Sequence, residues 1–565
     1  MTIELKCYSN CDDVFMAWQV SDNDGQIAGC LGFAIEVKDS NGKVEALHNL
    51  KGFQADHPKT GQTQPTTTWP LQTYTWTDHT ILIDSKVQFQ VTAMVGAPGQ
   101  LKRGPSSGWS PVIGLSTRAG ENTCAFFNRG MIMSQFVSRY ARENKLTTVQ
   151  ELKSKLSSDV DSPLMQFLTG ELGKAIRGLV QRAQQDPSIE LYCAMFELDL
   201  DDLIEDLAQV GTRAHVLLAN GSVKVAGGDE NSAAAQKLTG KVDLHRRMTA
   251  PHGLAHNKFV VVCQDGKPFG VLTGSTNWTL TGLHTQINNA ISIENAKLAQ
   301  VYLDQWHALV EAGDAFPPAL KAGNSRVREG LSVNRPNDTL VWFTPVPQVK
   351  GAVDGDIAEL KALVNAAKEG ILFVMFMPGQ EPLDSILQQQ QNGLYVRGVV
   401  STLPDGTKDN PSATFKIMTG DSFKEYKLDV VQPQGAAAAG DFVSTFTRQQ
   451  FLSGMGFAIT HSKVIVIDPF GDNPVVVTGS HNLSSTASGG NDENLLIIRN
   501  CPELAQAYAV NCMSVYQHYR WPSSQHEAAQ QPAIAGAASG YLNTGDAWQA
   551  KRKNADVQAD LKFWS

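Results

Sequence analysis

Long hydrophobic runs are missing from this chain. None of its 565 residues belong to an apolar stretch near the length needed to cross a bilayer, about 18 residues, which excludes a membrane-spanning helix. The opening residues Met1 to Cys7 have neither the basic start nor the apolar stretch of a signal peptide, so a cytoplasmic protein, or one exported by another route, is expected. Cysteine is sparse. The eight residues, at 7, 11, 30, 124, 193, 263, 501 and 512, include no C-x-x-C pair. That argues against a disulfide framework or a zinc site and predicts free buried thiols. An excess of positive charge is also lacking, since 47 Lys and Arg stand against 56 Asp and Glu, for a net charge of −9. Such a balance speaks against a protein that coats nucleic acid, while leaving room for a local basic cleft. Apolar residues make up 42% and charged residues 18%, ordinary for a soluble globular chain. The length is too great for one core, so about two to four domains are expected.

Residues 1–118 read as all-β. Short alternating runs (Asp12–Val20, Gly32–Val37, Val87–Val95) are separated by clusters of Gly, Pro, Asn and Asp. Val87–Ala93 and Ser110–Thr117, with a Pro/Gly-rich turn between them, resemble the last two strands of a fibronectin type III domain. Val87 occupies the usual tyrosine position, so another immunoglobulin-like sandwich fits as well. From Ser134 to Gln184 apolar residues recur at helical spacing. A strand–helix–strand unit follows twice, as Ser188–Phe196, Asp199–Gln209, Arg213–Leu218 and as Gly370–Met377, Leu383–Gln391, Tyr395–Ser401. A further helix closes each unit, at Ala296–Ala312 and Pro502–Tyr519, and both carry a Leu-Ala-Gln-x-Tyr pattern (Leu298–Tyr302, Leu504–Tyr508). The expected architecture is α/β, with two repeated halves at 119–325 and 326–565 whose mixed sheets are covered by helices. Ala315–Asn337 reads as a linker, 404–441 as an insertion, the Ala/Gln/Pro/Ser-rich Ser523–Gly540 as mobile and Trp548–Trp564 as a short docking helix.

What is present in duplicate is a chemical motif. His256, Lys258, Gly274, Ser275 and Asn277 are repeated as His461, Lys463, Gly479, Ser480 and Asn482, 205 positions on (461 − 256). Each histidine precedes an apolar run, Phe259–Val262 or Val464–Ile467, which reads as a buried strand. Residues i and i+2 of a strand share a side, so His and Lys would face one pocket. Two such halves would bring together two imidazoles, two ammonium groups and a set of hydroxyls and amides. One neutral imidazole could attack phosphorus. The other, protonated, could donate to the leaving oxygen and then activate water. The lysines and amides could stabilise the phosphoryl oxygens. No cluster with metal-ligand spacing lies beside the motifs, and neither metal nor cofactor is expected. A lone histidine before an apolar strand is more often structural, and His245, His252, His284 and His481 are read that way. Arg246 and Arg247 read as a solvated basic loop.

His461-x-Lys463-x4-Asp468 with Gly479-Ser480-x-Asn482 resembles the H-x-K-x4-D…G-S-x-N pattern of the phospholipase D superfamily, and the first copy matches except that Cys263 stands for the aspartate. The resemblance covers about residues 120–520. It implies paired α-β-α halves and metal-independent phosphodiester chemistry through a phosphohistidine, with His256, Lys258, His461 and Lys463 catalytic. It also implies that Ser275, Ser480, Asn277 and Asn482 bind the substrate phosphate and that Asp468 supports a loop. Asp265-Gly266 reads as a hairpin turn rather than a displaced aspartate. At the same offset from each histidine (288 − 256 and 493 − 461) stand Asn288 and Glu493, so a carboxylate is available to only one imidazole. The resemblance makes His256 the usual nucleophile; which histidine Glu493 backs is open. The expected substrate is a phospholipid at a membrane or micelle surface. A nuclease is the main alternative, a phosphatidyltransferase synthase another, and an inactive binding module a fourth reading that the intact His and Lys pairs oppose. Head-group choice and oligomeric state are not legible.

Overall fold

The structure is a computed structural model that describes residues 2–21, 25–59, 62–130, 162–401, 460–530 and 541–565, with short pieces between 140 and 155 and between 417 and 431. It is mixed α/β, and by contacts the chain divides into two units. One contains residues 1–116 and 517–565, the other 117–438 and 445–516. No described helix is long and apolar enough to cross a membrane.

The larger unit contains the two repeats. A seven-stranded sheet runs in the spatial order Thr123–Phe127, Asn289–Ile293, Lys267–Gly274, Lys258–Gln264, Ile189–Met195, Ala214–Ala219, Asp243–Arg247. An eight-stranded sheet repeats that order as Thr339–Phe343, Asn494–Arg499, Val475–Gly479, Lys463–Ile467, Gly370–Met375, Tyr395–Val400, Val430–Val431, with Arg328–Leu331 added outside Thr339–Phe343. Ile189–Met195 is parallel to Ala214–Ala219 and antiparallel to Lys258–Gln264, and Gly370–Met375 has the same two relations. The central strands are buried along nearly their whole length and therefore read as continuous apolar runs. Helices Pro163–Gln185 and Asp201–Val210 cover the first core, Gly355–Asn365 and Gln380–Gln391 the second. Asp265 and Gly266 are the two residues of a hairpin loop between paired Gln264 and Lys267, both at positive φ, +50° and +71°.

Two expectations need correction. The stretch 315–337 contains a helix, Pro318–Gly323, and a strand, Arg328–Leu331; Val327 packs against the second core, and Leu331 is buried. The helix beginning at Pro502 runs to Gln530, so 523–530 is helical. Most of the helical expectation over 134–161, and most of the insertion 404–441, fall outside the described residues.

The smaller unit is all-β at its N-terminal end. Thr2–Ser9, Val14–Ser21 and Thr75–Asp78 form one sheet; Ile113–Gly114, Lys86–Val95, Cys30–Lys38 and Val44–Ala46 form another, with Lys102–Ser106 also paired to Lys86–Val95. Trp18, Phe33, Tyr74 and Phe89 fill one core between them. Trp548 and Leu561 from the far end of the chain belong to that same core, so the tail does not extend the second half. The Trp548 indole donates to Cys30 O at 2.8 Å, and Gln549 exchanges two bonds of 2.9 Å with the Ile27 backbone. Trp548→Ala should therefore destabilise this unit by about 3–5 kcal/mol. A denaturant midpoint equal to wild type would contradict the tail's place in the core.

Candidate active site at the seam between the halves

Lys258 and Lys463 are the first residues of their strands, and each histidine sits just before. Each histidine's backbone is pinned by the opposite half. His256 N donates to Asp492 O at 3.0 Å, while His461 N and Ser462 N donate to Ile287 O at 2.8 and 2.9 Å. Deeper along the seam the exchange is reciprocal. Asn289 Oδ1 accepts from Thr478 and Tyr508 (2.8 and 3.1 Å), and Asn494 Oδ1 accepts from Thr273 and Tyr302 (2.9 and 3.2 Å). Buried amides satisfied in this way fix one register between the halves.

The imidazoles are fixed crosswise and by unlike partners. His256 Nδ1 lies 2.8 Å from Glu493 Oε2. The same oxygen accepts from Ser480 Oγ at 2.7 Å, and Glu493 Oε1 accepts from Asn491 Nδ2 at 3.3 Å. His461 Nδ1 lies 3.0 Å from Asn288 Oδ1 and 3.1 Å from Ser275 O. Asn288 Nδ2 donates to Gly282 O at 2.8 Å, which fixes the orientation of that amide and makes Oδ1 an acceptor. Both of His461's neighbours are then acceptors, so Nδ1 carries the hydrogen and Nε2 is left for chemistry. The donors around Glu493 set the same tautomer for His256.

Behind each histidine stands an aromatic ring. Phe196 lies edge-on to His256 with centroids 4.5 Å apart, and Phe376 lies 4.7 Å from His461. The ammonium groups of Lys258 and Lys463 sit 4.6 and 4.9 Å over the same two rings and donate to His256 O and His461 O at 2.7 and 2.6 Å. The four charged groups are buried, and their titration shows it. Burial holds both imidazoles well below their ordinary value, and the two lysines add to it. Lys258 is pushed down to about 7 by burial, against the pull of Glu493 and Glu197, while Lys463 is held well below 10.5 by burial and by Lys258. Glu493 is pushed up to about 7 by burial, against Lys258 and His481. Each shift favours the neutral form, the mark of burial; a bound phosphodiester anion would favour the charged forms of the lysines and imidazoles.

The other residues singled out from the sequence fall as follows. Ser275 and Ser480 are fully buried, and their hydroxyls are committed to Asn288 and Glu493 (both 2.7 Å). Each hydroxyl thus touches the side chain that stands behind a histidine. Asn277 Nδ2 donates to Glu197 at 2.7 Å; Asn482 is half-buried, and its Oδ1 has no partner. Asp468 accepts from the backbone N–H groups of Lys368, Glu369 and Gly370 at 2.7–2.9 Å and anchors that loop. His481 is wholly buried beside Asp356, at 3.0 Å. Arg247 is not solvated: it is buried against Asp492, whereas Arg246 pairs with Asp229 at 2.8 Å. Sequence reading missed Phe196, Phe376 and Glu197. The two phenylalanines are 180 positions apart (376 − 196) rather than 205, because the insertion lengthens only the second half. All eight cysteines are free. Among the described residues no group of three or more His, Cys, Asp or Glu is placed to hold a metal.

Residues 360–514 match the family model described as cardiolipin synthase, PLD-like domain, so the chain carries a phospholipase D-like domain. No curated protein sequence matches. Among solved structures the chain is similar to phosphatidylserine synthase of Haemophilus influenzae Rd KW20, at 16% identity over 66% of this chain and 92% of that one, with a TM-score of 0.40. It is also similar to Nuc, a phospholipase D family member from Salmonella typhimurium, at 16% over 32% and 94%, with a TM-score of 0.19. Polyphosphate kinase of Porphyromonas gingivalis follows at 11% over 57% of this chain, with a TM-score of 0.35; the match spans 45% of the kinase, less than half its length.

Proposed function

We propose that the chain is a metal-independent phosphodiesterase of the phospholipase D type that hydrolyses, and transfers, the phosphatidyl group of phospholipids. One observation carries the reading: two His–Lys pairs, one from each half, whose imidazoles are locked in the same tautomer by crosswise partners of unequal charge. His256, backed by Glu493, attacks phosphorus through Nε2, forming the P–N bond as the P–O bond to the leaving alcohol breaks. His461 gives its Nε2 proton to that alcohol, then takes one from water or a second alcohol, which displaces His256. Lys258, Lys463, Asn482 and the Asn277 N–H that Glu197 does not take balance charge on the phosphoryl oxygens. The phosphate anion itself restores the protonated state that His461 needs, since it offsets the lysines that depress it. The N-terminal sheets are read as an immunoglobulin-like sandwich of fibronectin type III kind.

The net charge of −9 supports lipid over nucleic acid. With phospholipid mixed micelles in excess EDTA, release of the head group is expected, and added ethanol should yield a phosphatidylethanol product. Loss of activity on chelation, restored by one ion, would remove the two-histidine mechanism. Degradation of DNA at low salt, with micelles and vesicles untouched, would replace the lipid assignment by the nuclease one.

A further inference from the structure

The two halves differ on the rim of the site. Ile189–Met195 is followed by Phe196 and Glu197, whereas the equivalent strand, Gly370–Met375, is followed by Phe376 and Met377, which is 47% exposed. A carboxylate therefore stands where the other half has a thioether. Its backbone is clamped on both sides. Phe196 O accepts from Asn231 Nδ2 at 2.8 Å, Leu198 N donates to Asn231 Oδ1 at 3.0 Å, and Glu197 O accepts from Trp278 N at 3.2 Å. One carboxylate oxygen accepts from Asn277 Nδ2 at 2.7 Å; among the described residues the other has no hydrogen-bond partner. Asn277 is 5% exposed, and its Oδ1 is buried without a partner.

The charged groups that act on Glu197 are Lys258, Glu230 and Asp199. Each is already engaged: Lys258 Nζ with His256 O at 2.7 Å, Glu230 with Ser222 N at 2.8 Å, Asp199 with Leu280 N at 2.7 Å. The motif's own asparagine thus carries a buried acceptor without a partner, beside a half-buried carboxylate oxygen that can bear charge. A bare phosphodiester does not satisfy this pair, because its oxygens are acceptors and its charge repels a carboxylate. A quaternary ammonium brings charge but no N–H. A primary ammonium brings both.

We propose that Glu197 and Asn277 form a subsite for a primary ammonium carried by the substrate, so that aminoalkyl phosphodiesters of the ethanolamine class are preferred over neutral and quaternary ones. The proposal rests on the phosphodiesterase reading above. Two substrate pairs test it, one for each ester arm. Phosphatidylethanolamine is compared with phosphatidylmethanol in mixed micelles, and 2-aminoethyl 4-nitrophenyl phosphate with its ethyl analogue; 4-nitrophenyl phosphorylcholine serves as the quaternary control. In at least one pair the amine should raise kcat/KM about tenfold, the size of one charge-assisted hydrogen bond, with the choline ester near the neutral level. Glu197→Gln should reduce that ratio to about twofold or less, and Glu197→Asp should retain part of it. Wild type without preference in either pair overturns the subsite. An equal fall on amine and neutral substrates in Glu197→Gln also overturns it, since that is the signature of a residue that only orients Asn277. If wild type turns over none of these diesters, the phosphodiesterase reading falls and the subsite falls with it.

Discussion

In the His461→Asn variant, acid-labile phosphate is expected to accumulate on His256. On the proposed mechanism His256 makes the covalent bond, and His461 activates the water that breaks it. Removing the base while keeping a polar side chain of similar reach should slow the second step more than the first. His461→Ala should lower kcat by roughly 10²–10⁴-fold, the span of general acid–base catalysis, and His256→Ala by at least as much. Circular dichroism should show both folds intact. Label found on His461 in a His256→Asn variant would reverse the assignment. Glu493→Gln provides a pH readout. Because the folded carboxyl titrates at about 7 rather than at its ordinary 4.5, the folded state holds an extra proton between those values. Stability contributed by that proton is full below 4.5 and is lost as pH rises to about 7, so the variant should flatten this limb of the stability profile. The acid limb of kcat/KM, which reports ionisation of the partner of His256, should move as well. An unchanged profile would mean that Glu493 does not govern His256.

Much of this site could be read before any coordinates, and the reason is geometric. A strand fixes the relative placement of His256 and Lys258 within three residues, so local spacing carries the information, and duplication of the spacing raises it above chance. The pairing of Asn288 with Glu493 by offset was legible for the same reason. Which histidine each would meet was not, because the crosswise contact is a relation between halves that no spacing within one half encodes. The side to which each serine turns is not legible in the sequence, because a hydroxyl near a phosphate motif can face either way. Only the neighbouring Asn288 and Glu493 show that both turn inward. The place of the C-terminal tail is not legible in the sequence, because nothing local to Leu542, Trp548, Leu561 or Trp564 names the core they join.

A large stability effect is expected at Arg247. As a cluster of basic residues Arg246-Arg247 reads as a solvated loop, yet the side chains of Arg247 and Asp492 are each 1% exposed. The guanidinium donates to both Asp492 oxygens, at 2.5 and 3.1 Å, and to the carbonyls of Leu309, Gly313 and Ala315. Asp492 O in turn holds His256 N, and Asp492 adjoins Glu493. Arg247→Met leaves a buried carboxylate unpaired and should cost about 3–5 kcal/mol. The equivalent position across the seam, 205 residues earlier (492 − 287), is Ile287, whose carbonyl does for His461 what Asp492 O does for His256 without any ion pair. The backbone bridge therefore does not need the charge. Arg247→Met combined with Asp492→Ile should recover most of the lost stability, because the desolvation penalty disappears with the pair. Denaturant midpoints of the two single variants and the double variant decide it. Additive losses would mean that Arg247 acts through the carbonyls of 309–315 rather than through Asp492.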